Sequence, residues 1–249
     1  MFEKIKQITL ANRHSIAVFV LLNTACLACT LLVLARIAYS DTTRHTGLIW
    51  NLFLAWIPFI LAYFTHAISW KRTWLYISIP VTAFLWLIFF PNAPYMLTDL
   101  QDLARGTAGA PLWYDVIIVG WCSWTGTMLG VVSLYLMQDV VLRIFGRIAG
   151  WVFVFAISTA SSFGMYIGRF VRLNSWDILQ SPAETTMDIL GLVIDPSMRL
   201  LAFTVLYTFF FLLIFLLLYS FSHMLTEQSA KSQVILDSQS VTQPSNAGH

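Results

Sequence analysis

Charge is what this chain has least of: 14 Lys and Arg and 12 Asp and Glu make up 10% of its 249 residues. Soluble domains carry about 25%. So few charges cannot cover a surface that faces water, which excludes a soluble globular domain. Hydrophobic residues make up 58% of the chain, and lipid solvates such a surplus where water does not. The net charge of +2 leaves no basic surplus for nucleic acid, and none is expected as a partner. Cysteine is equally scarce, three in all, and offers no disulfide framework. Cys26 and Cys29 have the C-x-x-C spacing of redox motifs, but they lie in a long apolar run with no strand nearby and read as small core residues, as does Cys122. The five histidines are scattered. There is no zinc-site spacing, no G-x-S-x-G elbow and no phosphate-binding glycine loop, so no metal and no cofactor are expected.

What the chain has instead is apolar runs. Six can be marked, near residues 15–39, 48–68, 75–90, 116–137, 151–170 and 200–221. A helix needs about 20 residues to cross the hydrocarbon core, and five of the six fit that length. The run 75–90 is short and meets Pro91-Asn92-Ala93-Pro94; it either begins near Arg72 or continues past the prolines as a kinked helix toward Leu100. The first run follows Lys4, Lys6 and Arg13 like a signal peptide, but it is far longer than such a segment's apolar region and reads as an uncleaved helix. The expected fold is an all-α integral membrane bundle of about six spanning helices with short surface helices on the outer side. It occupies residues 1–222 and is followed by a polar, disordered cytoplasmic tail over 223–249. Small-xxx-small pairs at Gly126/Gly130, Gly146/Gly150 and Gly164/Gly168 are read as close helix packing within the bundle.

Orientation rests on Lys and Arg. The loops 69–74 and 138–150 are short and basic, with Lys71, Arg72, Arg143 and Arg147, which places them and both termini in the cytoplasm. The acidic residues fall mostly on the other side, among them Asp41, Asp99, Asp102, Asp115, Asp177, Glu184, Asp188 and Asp195. Trp70, Trp74, Trp151 and Tyr219 mark the inner interface, and Tyr39, Trp50, Trp113, Tyr114 and Trp176 the outer one.

Two outer connections carry the chemistry. The first holds Asn92, Tyr95, Thr98, Asp99, Asp102 and then Asp115, with Thr98-x-x-Gln101 read as a capping box. The second runs from Tyr166 through Arg169 and Arg172 to Asn174, Trp176 and Asp177. If helical, Tyr166, Arg169, Arg172, Leu173 and Trp176 form one stripe. A single arginine here would be explained by snorkelling to lipid phosphates. Two arginines with Asn174 and Asp177, opposite carboxylates of another loop, favour a structured polar site, since charges at membrane depth tend to be paired and functional. The expectation is that Asp99 and Asp115 lie near Arg169 and Arg172. Ser181-Pro182-Ala183-Glu184 reads as a helix start, and Asp195-Pro196 as the cap of the last span. Asn23, Asn51 and His66 read as isolated interhelical hydrogen-bonders.

The run Asn92-Ala93-Pro94-Tyr95 with Thr98-Asp99, then Trp113-Tyr114-Asp115, then Gly168-Arg169-Phe170-x-Arg172-x-Asn174-Ser175-Trp176-Asp177, resembles the bacterial membrane family called domain of unknown function 1361. The resemblance spans roughly residues 74–219 and implies a multi-pass bacterial plasma-membrane protein, with no activity attached. Three functions stay open. An outer site could bind or process an anionic amphiphilic substrate, with Arg169 and Arg172 holding its charge and Asp99, Asp102 or Asp177 as candidate catalytic groups. A non-catalytic scaffold for a membrane-protein partner would use the same charges to lock its loops. A transporter would use the proline-broken segment, as interrupted helices do, although its charges sit at one edge instead of at mid-bilayer.

Overall fold

The computed structural model describes residues 13–69, 78–106, 109–172 and 180–242. The described residues are helical apart from short connections, and none of them forms a strand. Helix α1 covers Arg13–Ser40, α2 Thr46–Ile68 and α3 Ser78–Phe89. A four-residue α4 (Asn92–Tyr95) leads into a 3-10 helix, Met96–Arg105. Then follow α5 (Leu112–Phe145), α6 (Arg147–Tyr166), a π-turn at Ile167–Val171, α7 (Pro182–Ile194) and α8 (Met198–Thr242). Among the described residues, six stretches are long and apolar enough to cross a membrane: Ile16–Ser40, Thr46–Ile68, Ser78–Ala104, Leu112–Phe145, Arg147–Val171 and Met198–Met224. The chain is an all-α, multi-pass membrane protein. Its lipid-facing character shows in large exposed side chains along the spans, among them Leu21, Phe53, Phe64, Phe84, Trp124, Phe155 and Leu206.

Chain contacts define two compact units, one through Thr208 and one from Phe209 onward, the boundary falling inside α8. In the first unit α5 is the hub, packing against α1, α2, α4, the 3-10 helix and α6. Lipid offers helices no hydrophobic drive to associate, so close packing depends on small residues. Gly126 supplies that closeness: a Cβ there would lie 2.6 Å from Met96 Sδ and 2.9 Å from the Ala93 carbonyl. At Gly164 a Cβ would meet the Pro91 ring at 3.0 Å. Gly146 departs from the expected pattern, because it ends α5 at φ 89°, where a side chain would be strained, and does not lie inside a packed helix.

The third span does continue past the prolines, as a chain of tightened turns. Pro91 opens α4 in helical geometry, and the Phe90 and Ala93 amides bond back to the Trp86 and Phe90 carbonyls at 2.8 and 3.1 Å. Ala93, Met96 and Thr98 are fully buried, and Ser123 Oγ donates to the Met96 carbonyl at 2.6 Å. Irregular backbone at membrane depth is tolerated when protein covers it in this way. The start of this span, residues 75–77, lies outside the described residues, as do Trp70, Trp74 and the loop with Lys71 and Arg72.

Several local expectations are corrected. Thr98 forms no capping box; its hydroxyl donates back to the Tyr95 carbonyl at 2.7 Å inside a continuous helical segment. Pro182 does open α7, but Ser181 makes no side-chain cap bond. Asp195 ends α7, and Ser197 caps α8 by accepting from the Leu200 amide at 3.2 Å. Asn23 bonds within its own helix, to the Phe19 carbonyl. His66 does bridge helices, its Nε2 lying 2.9 Å from Asp139 Oδ2, and Arg143 binds the same oxygen at 2.9 Å. Where a disordered tail is expected from residue 223, α8 runs on as helix to Thr242. Residues 225–240 hold no Gly or Pro, so nothing in them breaks a helix already begun. Residues 243–249 lie outside the described residues.

Candidate functional site

Both polar clusters of interest sit at the end of the spans that carries Asp99 and Asp115. The first is built on the 3-10 helix. Side chains three apart eclipse one another in 3-10 geometry, so Met96, Asp99 and Asp102 project along one line. Met96 goes into the core against Gly126, while Asp99 and Asp102 reach Arg169 together. Arg169 forks between them, Nη1 donating to Asp99 Oδ1 at 3.0 Å and Nη2 to Asp102 Oδ1 at 2.8 Å. Asn51, one turn into α2, donates to the remaining oxygen of Asp99 at 3.0 Å. The Tyr95 side chain also lies close to Arg169, and Tyr207 of α8 lies close to Gln101. Side-chain exposure rises outward, from 6% at Asp99 through 13% at Arg169 to 28% at Asp102.

The π-turn explains why only one of the two expected arginines arrives here. The Arg172 amide bonds to the Ile167 carbonyl at 2.9 Å, an i→i+5 closure that widens the helix around Arg169. Arg172 then takes a left-handed conformation, φ 66°, ends the helix and lies exposed. The expected stripe of Tyr166, Arg169 and Arg172 is therefore broken. Tyr166 instead joins an aromatic cluster, 4.8 Å from Phe170 and 5.6 Å from Phe203, with Phe203 stacked on Tyr207 at 4.2 Å. Tyr207 thus connects this wall to the Arg169 fork. π-turns are enriched at functional sites.

The second cluster is sealed. Asp115 does not meet Arg169 or Arg172; it pairs with Arg36 of α1, Oδ1 and Oδ2 accepting from Nε and Nη2 at 2.6 and 3.1 Å. The two side chains are 0% and 2% exposed. Arg36 also donates to Ser40 Oγ and Thr42 Oγ1, at 3.1 and 2.7 Å. His45 Nε2 stands 3.5 Å from Asp115 Oδ2 without completing a hydrogen bond. Burial pushes the His45 imidazole below its ordinary range, against the pull of Asp115 and with the help of the Arg36 charge. Arg44 ties the two clusters, donating to the Asp102 carbonyl at 2.9 Å and, more closely, to that of Gly106.

The expected site is thus partly assembled. Tyr95, Asp99, Asp102 and Arg169 come together, Tyr166 stands in the adjoining wall, and Asp115 and Arg172 are elsewhere. Asn92 and Thr98 serve the backbone, Asn92 donating to the Phe89 carbonyl at 2.9 Å. Asn174, Trp176 and Asp177 lie outside the described residues. Sequence reasoning missed Tyr207, Arg36 and His45, and it gave Asn51 its interhelical hydrogen bond but not its place in the site. The signal for Arg36 was present: a guanidinium inside the first apolar run, at a depth where charges need partners. Asn51 carried a weaker one, an amide near the start of a span. Tyr207 had none.

The arrangement offers one guanidinium against two carboxylates, an amide and phenols, beside an aromatic wall. It can bind a polar group that brings donors to Asp99 and Asp102 while the rings cover an apolar portion. No characterised protein and no solved structure matches the chain. A family model described as protein of unknown function, DUF1361, matches residues 50–231. That stretch contains the proline-broken span, Asp99, Asp102, Asp115, Arg169, most of the second spanning helix and all of the later ones, and the chain belongs to that family.

Proposed function

We propose that this is a bacterial plasma-membrane protein whose acidic end faces outward, with both termini in the cytoplasm. On this reading the Asp99–Arg169–Asp102 cluster binds the polar head of an amphiphilic substrate. The observation that carries the reading is the gradient of access within one hydrogen-bonded set, from buried Asp99 to 28%-exposed Asp102, next to an aromatic wall. A charge network made only for rigidity needs no open edge, and the Arg36–Asp115 pair in the same protein has none. An anionic head was expected from a pairing of Arg169 with Arg172. That pair is not formed, and Arg169 is already engaged by two carboxylates. The cluster itself therefore favours the donor-bearing part of the head, hydroxyl, amide or ammonium. Asp99 is the candidate acid–base group, oriented by Asn51 and Arg169.

The scaffold reading has one observation of its own: Arg169 is already held by both carboxylates of the cluster. The two readings part in native mass spectrometry of the full chain from mild detergent. Under the substrate reading, a small amphiphile stays bound to the wild type and is lost from Asp99→Asn. Under the scaffold reading no small ligand is retained, and the exchange Asp99→Arg with Arg169→Asp restores the thermal stability lost in either single variant.

A further inference from the structure

Five arginines at the acidic end have described side chains, and three of them are occupied. Arg36 and Arg169 bind carboxylates, and Arg44 binds backbone carbonyls. Arg172 and Arg199 are exposed, and neither makes an ion pair with a described carboxylate. Both belong to the neighbourhood of Phe170, one by chain position and one by contact. Arg172 follows Phe170 by two residues, and the Arg199 guanidinium lies over the Phe170 ring, 4.1 Å from its centroid. A cation–π contact holds a guanidinium by its charge without using its N–H groups on a carboxylate, and those donors suit a phosphate. Both residues mark span ends: Arg172 directly follows the span Arg147–Val171, and Arg199 is the second residue of Met198–Met224. Exposed apolar side chains continue from Arg199 along α8, at Leu201, Val205 and Leu206. Phe170 in turn contacts Phe203 at 5.5 Å, and Phe203 stacks on Tyr207 beside Arg169.

We infer that Arg172 and Arg199 form an anion subsite for the phosphate of a membrane phospholipid or phospholipid-like amphiphile, seated over Phe170 at the mouth of the Asp99 site. This rests on the reading of that site as a substrate site. It supplies the anionic recognition that the Arg169 fork does not, and it identifies the substrate as one entering from the lipid with its acyl chains along α8. A soluble phosphate would have no use for the apolar track, which is why the lipid is the assigned source.

The test is native mass spectrometry of the full chain released from nanodiscs of equal phosphatidylglycerol and phosphatidylcholine. The wild type retains phosphatidylglycerol in preference to phosphatidylcholine. Arg172→Gln with Arg199→Gln lowers that preference about tenfold, the worth of ~1.4 kcal/mol. Arg172→Lys with Arg199→Lys keeps part of it, since ammonium groups hold phosphate as point charges. Unchanged melting temperatures show that the variants are folded. No preference in the wild type, or an equal preference in the Gln variant, overturns the subsite. So does displacement of the lipid by millimolar inorganic phosphate that then stays bound, which would make the site one for a free anion. Asp99→Asn separates the two proposals: it loses bound lipid if the Asp99 site holds the head, and if it does so while Arg172→Gln with Arg199→Gln keeps the phosphatidylglycerol preference, the subsite fails and the reading of the Asp99 site stands.

Discussion

Replacing Arg36 by Met removes one partner of an ion pair that water does not reach. The pair is bidentate at 2.6 and 3.1 Å, with side chains 0% and 2% exposed, so Asp115 would be left buried beside His45 without its guanidinium. Breaking a buried pair in this way costs about 3–5 kcal/mol. For a chain of this size that corresponds to a fall of roughly 6–20 °C in melting temperature. Removing both charges is different, because the desolvation of Asp115 disappears with its carboxylate. The double variant Arg36→Met, Asp115→Leu should recover to within ~1 kcal/mol of wild type, since apolar residues often replace buried ion pairs without loss. The hydroxyls of Ser40 and Thr42 lose the guanidinium but stay 3.0 Å apart and can serve each other. Melting of the four members of the cycle in one detergent, followed by circular dichroism, measures the coupling. A single Arg36→Met variant within ~1 kcal/mol of wild type would falsify the sealed pair, and so would a double variant that melts below both singles.

Gly126→Ala should destabilise by about 1–3 kcal/mol, because the new methyl group meets the Ala93 carbonyl at 2.9 Å and backbone cannot step aside as the Met96 side chain can. An unchanged melting temperature would show that α4 and α5 are not so closely apposed. Ala183→Cys, exposed on α7, should react with an impermeant thiol reagent in intact cells while buried Cys29 and Cys122 do not. Labelling only after lysis would reverse the proposed orientation. Burial lowers the His45 value below its ordinary 6.5, so the unfolded chain takes up the proton more readily. Stability owed to neutral His45 is whole above pH 6.5 and is lost as pH falls through the folded value, and His45→Gln should flatten this dependence. Equal acid sensitivity in wild type and variant would assign the effect to other groups.

The sequence by itself determined that the chain is a helical membrane protein and roughly where it crosses. The reason is that lipid admits only helices or closed barrels, and six apolar runs of near-spanning length leave little choice. It also marked Asp99, Asp102 and Arg169 as residues of one site, since charges at membrane depth are costly unless paired. Partner choice was decided only in three dimensions. Asp99 and Asp102 face Arg169 together because the chain after Pro94 tightens into a 3-10 helix, and no residue pattern announces that geometry. Asp115 belongs to Arg36 because α1 packs on α5, an apposition that two apolar runs do not encode in their composition. Arg172 leaves the site because the helix widens at Ile167 and ends in a left-handed turn, where periodicity predicts one continuous stripe. Helical period predicts which residues share a face only while the helix stays regular, and at this end of the protein two segments depart from it at the residues that carry the charges.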